Sequence, residues 1–239
     1  DVESITVDRI KFVATALYGI GKNFYFGGGL DLADYFKVET DSNSFIVEQN
    51  VNGQDGGTNV GLGLGGAFDK RDNRYNPSTG AYVIGTWLYY GKSFGSTFEY
   101  SKIELDARKY FNHYKKHVIA IQATTTYATT AVPFYELSMM GGEYQMRGYY
   151  KGALRDQVLV DGQIEYRMPV WKIFGLTSWI ATGRVASSYH SLNMDGLWLS
   201  YGGGFRVKVD SKSNVNLRVD FGFGPNGISG VYLNFAEAF

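Results

Sequence analysis

Several long runs in this 239-residue chain sort their side chains by parity. In "YSKIELDARKYF", Tyr100, Lys102, Glu104, Asp106 and Arg108 share one parity, and Ile103, Leu105 and Ala107 take the other. In "VLVDGQIEYRMPV", Asp161, Gln163, Glu165 and Arg167 alternate with Val160, Gly162, Ile164, Tyr166 and Met168. "SYGGGFRVKVD" and "NVNLRVDFGF" repeat the pattern: Arg206, Lys208 and Asp210 oppose Phe205, Val207 and Val209, and Asn216, Arg218 and Asp220 oppose Leu217, Val219 and Phe221. Successive side chains of a strand point to opposite faces, so each run reads as a half-buried antiparallel strand. Strands of a soluble sandwich are usually about five or six residues long. These runs last about ten to fourteen, and a tilted strand needs about nine to eleven to cross a bilayer. One face carries whole rings and the other carries both signs of charge at high density. The length and this sorting favour rings toward lipid and ions inward, a transmembrane antiparallel up-and-down β-barrel. The competing architecture is a large soluble sandwich or a lipocalin-like barrel, with the same rings packed inside.

The chain has no run of 18 apolar residues, so it has no membrane-spanning helix. A closed barrel is the other structure that satisfies its backbone within lipid. The formal net charge is zero, which gives no electrostatic footprint for nucleic acid. There is no cysteine, which removes disulfide frameworks and thiolate metal sites. The opening "DVESITVDRI" has neither a charged n-region nor an apolar h-region, so either a signal peptide has been removed or there never was one.

Coarse placement gives eleven strands, at 4–20, 23–39, 59–70, 81–92, 97–111, 117–128, 158–171, 176–186, 197–210, 215–224 and 228–239. Single-chain bacterial barrels have even counts. The expectation is therefore a single barrel domain over 1–239 of about twelve strands, or failing that about ten. Short connections such as "GKN" and "FNHYKKH" alternate with long ones such as "TDSNSFIVEQNVNGQDGGT", the asymmetry of a periplasmic and an outer side.

Little in the chain suggests chemistry. "GLGLGG" at 61–66 is followed by neither a helix nor Lys-Ser/Thr, so the phosphate-loop context fails. His113, His117 and His190 lack metal-ligand spacing, and no nucleophile elbow is present. The expectation is a protein that is not an enzyme and has no cofactor or metal. Arg147 stands apart. It sits in "GGEYQMRGYYKGALRD", in a loop over 131–157, between the glycine pair Gly141 and Gly142 and the sequence Gly148, Tyr149. The glycines permit tight turns, and Tyr144, Tyr149 and Tyr150 are expected to pack the loop against a wall. A guanidinium folded into a confined lumen needs carboxylate partners. Glu165 and Asp161, inward on the next strand, are the candidates.

"GGEYQMRGYY" resembles the loop signature of the outer-membrane insertase and two-partner secretion superfamily, also called the bacterial surface antigen family. "DKRDNRYNPSTGAYV", "IEYRMPV", "YGGGFRV", "LRVDFGFG" and the closing "VYLNFAEAF", ending in Phe235 to Phe239, are similar to further family segments in the same order. The resemblance runs from about Asn59 to the end. It implies a barrel whose sixth extracellular loop enters the lumen and docks its arginine, here Arg147, on the inner wall. It also implies an opening between the first and last strands. Members insert other barrels into the outer membrane or export a partner polypeptide. The implied location is the bacterial outer membrane, with its lipid and a polypeptide client or a larger envelope complex as partners. The alternative is a barrel that has lost transport and serves as a membrane anchor or structural subunit. The chain departs from the pattern in three respects. The family barrel has about sixteen strands and is preceded by periplasmic repeat domains, whereas the expectation for the 239 residues here is about twelve strands with no repeat domain among them. Ala181 in "WIATG" stands where the family carries the arginine's carboxylate partner. Glu237 stands where the terminal segment is apolar.

Overall fold

The computed structural model describes residues 5–39, 45–193 and 195–239. Expectations for residue 4 and for 40–44 of the long loop lie outside the described residues. The strands are β1 (Thr6–Gly21), β2 (Phe24–Glu39), β3 (Gly57–Asp69), β4 (Gly80–Tyr90), β5 (Tyr100–Asn112), β6 (Val118–Ala128), β7 (Ser138–Met140), β8 (Leu154–Asp156), β9 (Val158–Trp171), β10 (Phe174–Ala186), β11 (Trp198–Asp210), β12 (Val215–Phe223) and β13 (Ser229–Phe235). One four-residue helix, α1 (Phe45–Glu48), lies between β2 and β3. Eleven strands form one antiparallel up-and-down sheet in chain order, passing from β6 directly to β9. β7 and β8 pair separately as a small two-stranded sheet inside the long loop, an element that the alternation did not announce. The large sheet thus holds the eleven segments delimited by parity. The twelfth strand added on the even-count argument is not in it among the described residues.

Where connections are short, left-handed residues close them: Asn23 between β1 and β2, Lys172 between β9 and β10, and Asn214 between β11 and β12. Asparagine tolerates this conformation because its short amide bonds locally.

Tertiary contacts divide the chain into two compact units. The first takes in the described residues up to Ala67, with Gly85–Glu104 and Thr126–Leu137. Its apolar packing is aromatic: Tyr35 stacks on Tyr135 at 3.8 Å, and Tyr90 on Tyr100 at 4.2 Å. Ala33, Ile46 and Phe134 complete one cluster, and Ala128 and Val132 the other. On β2 the exposed face carries Phe24, Phe26, Leu32 and Phe36, while Asp31 and Tyr35 are buried.

The second unit comprises Phe68–Ile84, Leu105–Thr125 and Ser138–Phe239. Its faces invert the usual globular order. β9 buries Asp161, Gln163, Glu165 and Arg167 and exposes Val160 and Ile164. β12 buries Asn216, Arg218 and Asp220 and exposes Phe221 and Phe223. Water-soluble domains rarely bury unpaired charge and hide their large apolar side chains. Here the ions are inside, paired, and the rings are outside.

Candidate functional site

The loop between β6 and β9 is built to approach a wall closely. β7 and β8 clamp its base, pairing Ser138 with Asp156 and Met140 with Leu154. Within it, the Gly142 amide donates to the Tyr149 carbonyl at 3.2 Å, and the Tyr149 amide to the Met146 carbonyl at 3.2 Å. Gly148 has φ +113°, a conformation that favours glycine. A Cβ on Gly148 would lie 3.0 Å from the backbone of Gly222 on β12, and one on Gly222 would lie 2.6 Å from the Arg147 carbonyl carbon. Loop and strand therefore meet backbone to backbone through a facing pair of glycines. The Gly148 amide donates to Tyr232 Oη on β13 at 2.8 Å, the Ser200 hydroxyl on β11 donates to the Arg147 carbonyl, and Tyr149 Oη donates to the Leu199 carbonyl at 2.8 Å.

This seating places the Arg147 side chain at 0% exposure. Nη2 donates to Glu165 Oε2 at 2.6 Å and to Gln163 Oε1 at 3.2 Å, and Nη1 donates to Asp220 Oδ2 at 2.7 Å. The guanidinium carbon lies 3.6 Å from the Trp179 ring centroid, a desolvated cation–π contact. The network continues beyond it. Arg167 Nε donates to Glu165 Oε1 at 2.7 Å. Arg206 reaches Asp220 Oδ1 and Glu237 Oε2, each at 2.6 Å, and Arg218 Nη1 reaches Asp220 Oδ2 at 3.0 Å. Four guanidiniums and three carboxylates are thus linked by ion pairs, with Asp220 touching three of the four cations. Asp220 is the member the others lean on most: without it Arg218, fully buried, would have no carboxylate partner among the described residues.

Of the two carboxylates expected beside Arg147, the structure brings only Glu165. Asp161 is buried but accepts from Thr124 Oγ1 at 2.6 Å and is not among the Arg147 partners. Residues 161 and 165 share a face, but four strand residues separate them by about 13 Å, beyond one guanidinium's fork. The second partner is Asp220, three strands along the sheet from β9. β10 explains the substitution. Its register sets Trp179 opposite Glu165 and Ala181 opposite Gln163. At this level β10 therefore offers a ring and a methyl group, and the carboxylate comes from β12. Of the three tyrosines expected to pack the loop, only Tyr149 is buried; Tyr144 and Tyr150 are exposed.

The end of the chain also differs from expectation. Phe235 closes β13, but Phe239 does not lie in that strand. Ala236 takes φ +66°, which breaks the extended run, and Glu237, Ala238 and Phe239 are buried. The Glu237 carboxylate supplies the reason: it answers Arg206 and accepts from Asn216 Nδ2 at 2.7 Å. The Phe239 ring packs with Tyr110, Val118 and Ala120.

The first unit holds a second buried network that sequence reasoning missed. Glu136, in the opening of the same loop, accepts from Lys11 Nζ on β1 at 2.6 Å, from Lys102 Nζ on β5 at 3.4 Å and from Tyr35 Oη on β2. Burial opposes ionisation of this carboxyl, but Lys102 and Lys11 outweigh it and hold the group below the usual carboxylate range. Only parity could have hinted at it, since Lys11, Asp31 and Lys102 fall on polar faces while Glu136 reads as a solvated loop residue.

A family model described as the Omp85 superfamily domain matches residues 2–236. No curated protein matches the chain in sequence. Among solved structures, the crystal structure of BamA from Haemophilus ducreyi lacking POTRA domains 1-3 is similar with a TM-score of 0.71 and 16% identity, covering 97% of this chain and 54% of that one. The likeness is one of fold, and the chain spans about half the length of the structure it matches.

Proposed function

Because the chain belongs to the Omp85 superfamily, whose members are outer-membrane proteins, we propose that it works in the insertion or translocation of polypeptides at the outer membrane, without enzymatic chemistry. The observation that carries this reading is the docked loop: Arg147, fully buried, bridging Glu165 on β9 and Asp220 on β12. Ion pairs and a glycine-to-glycine contact hold the segment against the polar face, tying it to β9, β11, β12 and β13 at once. The rings on the opposite face suit contact with lipid.

The test is reconstitution. The purified chain is placed in liposomes of outer-membrane lipids with a urea-unfolded barrel protein as client, and the heat-modifiable folded band of the client is followed with time. Accelerated insertion over empty liposomes, reduced by Arg147→Met, is the expected result. No acceleration, together with stable co-purification of the chain with a large envelope partner, would replace this reading with that of an anchor.

A further inference from the structure

A cavity of about 420 Å³ opens in the second unit around the β9–β10 turn. Lys116, Arg167, Lys172, Arg206 and Lys208 line it, against a single carboxylate, Glu237. Arg167 and Arg206 are engaged with Glu165, Asp220 and Glu237. The three lysines have no carboxylate within ion-pair distance among the described residues; Lys172 Nζ rests 4.8 Å from the Trp171 ring centroid. Nη2 of Arg206, a side chain only 4% exposed, has no hydrogen-bond partner. The whole chain is neutral, so this concentration of positive charge is local. Low-dielectric walls around charge of one sign focus the field and favour entry of the opposite sign.

The chain's own Glu237 displays the chemistry the cavity accepts. One carboxylate oxygen takes Arg206 Nε at 2.6 Å and the other takes Asn216 Nδ2 at 2.7 Å. Further asparagine amides line the cavity, at Asn76, Asn112 and Asn214, and an amide can serve a peptide backbone as donor and acceptor. Arg206, Asn216 and Glu237 are buried on the polar side of the sheet, while Phe205 and Phe221 are exposed on the other. The lining also takes in Met168, Ile173, Phe174 and Leu176, so an anionic lipid is the competing occupant, and the titration below separates it from a peptide. The size falls within the usual range for ligand sites, about 300–1,000 Å³.

We propose that this cavity docks an acidic stretch of polypeptide, with its carboxylates held by Lys116 and Lys208 above the Arg206–Glu237 pair. The proposal deepens the polypeptide-handling reading and rests on it for biological meaning, but the binding itself is measured without any insertion reaction.

Full-length chain folded in zwitterionic detergent is titrated against a fluorescein-labelled octa-aspartate peptide by anisotropy, with octa-asparagine as control. Saturable binding of octa-aspartate alone is expected, weakening with added salt. The variant Lys116→Gln/Lys208→Gln, checked for folding by heat-modifiable migration, is expected to bind about tenfold more weakly. Equal binding of octa-asparagine, or unchanged affinity in that variant, overturns the proposal. So does loss of peptide binding to phosphatidylglycerol at a lower concentration than is needed of competing unlabelled octa-aspartate, which would reassign the cavity to an anionic lipid. Peptide binding that depends on the lysines in a chain inactive in reconstitution would leave the cavity standing and remove the insertion function; activity without peptide binding would do the reverse.

Discussion

Asp220→Asn is the substitution that most directly tests the buried network. The change keeps shape and removes one charge from a group that meets Arg147 at 2.7 Å, Arg206 at 2.6 Å and Arg218 at 3.0 Å. Four guanidiniums would then face only Glu165 and Glu237, all of them at most a few per cent exposed. Breaking a buried pair by removing one partner costs about 3–5 kcal/mol, and this aspartate is shared by three cations. Arg147→Met is milder by the same reasoning. It leaves three guanidiniums facing three carboxylates: Glu165 keeps Arg167, and Asp220 keeps Arg206 and Arg218. The loss is then that of charge-assisted hydrogen bonds, about 1.5–3 kcal/mol. The assay is urea unfolding in detergent micelles, followed by tryptophan fluorescence and heat-modifiable migration, with proteolysis of the loop as a local readout. In the double variant the two costs are expected to add to less than their sum, with a coupling of about 0.5–3 kcal/mol. If Asp220→Asn costs no more than Arg147→Met, charge balance does not govern this cluster and the reasoning fails.

Two other perturbations address the remaining structure. Glu136→Gln removes the carboxylate that Lys11 and Lys102 share; because Lys11 keeps Asp31 and Lys102 keeps Glu104, the expected cost is about 1.5–3 kcal/mol near neutral pH. Because its folded-state pKa is depressed, that contribution is complete above the ordinary carboxylate value of about 4.3 and fades as pH falls through the folded value. Stability curves of wild type and variant should therefore converge in acid below about pH 4, and a constant gap would contradict the pairing. Ile180→Arg tests the outer face: Ile180 is 53% exposed in the middle of β10, opposite Tyr201 and Ile164. Against lipid it should cost about 2–4 kcal/mol in vesicles, whereas an arginine facing water changes stability by only about 0.5 kcal/mol.

Several features were legible because they are local. Parity is a property of consecutive residues, so the strands and the sorting of Asp161, Glu165, Arg206 and Asp220 onto polar faces could be read directly. Val158–Trp171 was delimited to the residue. The seating of Arg147 was anticipated in kind, since a guanidinium among glycines and rings has to find carboxylates wherever it is buried. Which carboxylates it finds was not legible. Asp161 and Glu165 are equivalent by parity, and Asp220 lies on a strand with no sequence relation to the loop. The register of β9, β10, β11 and β12 brings one level of each strand together, and that register is set by the whole ladder of pairings.

The sequence by itself therefore determined the element type, the two faces of each strand and the need for a paired arginine, because periodicity and desolvation act residue by residue. The tertiary structure alone decided that Asp220 is the hub, that Glu136 anchors the loop's opening on Lys11 and Lys102, and that Ala236 turns Glu237 and Phe239 inward. Each of these depends on groups distant in the chain reaching hydrogen-bonding distance, a condition that only the packed sheet imposes.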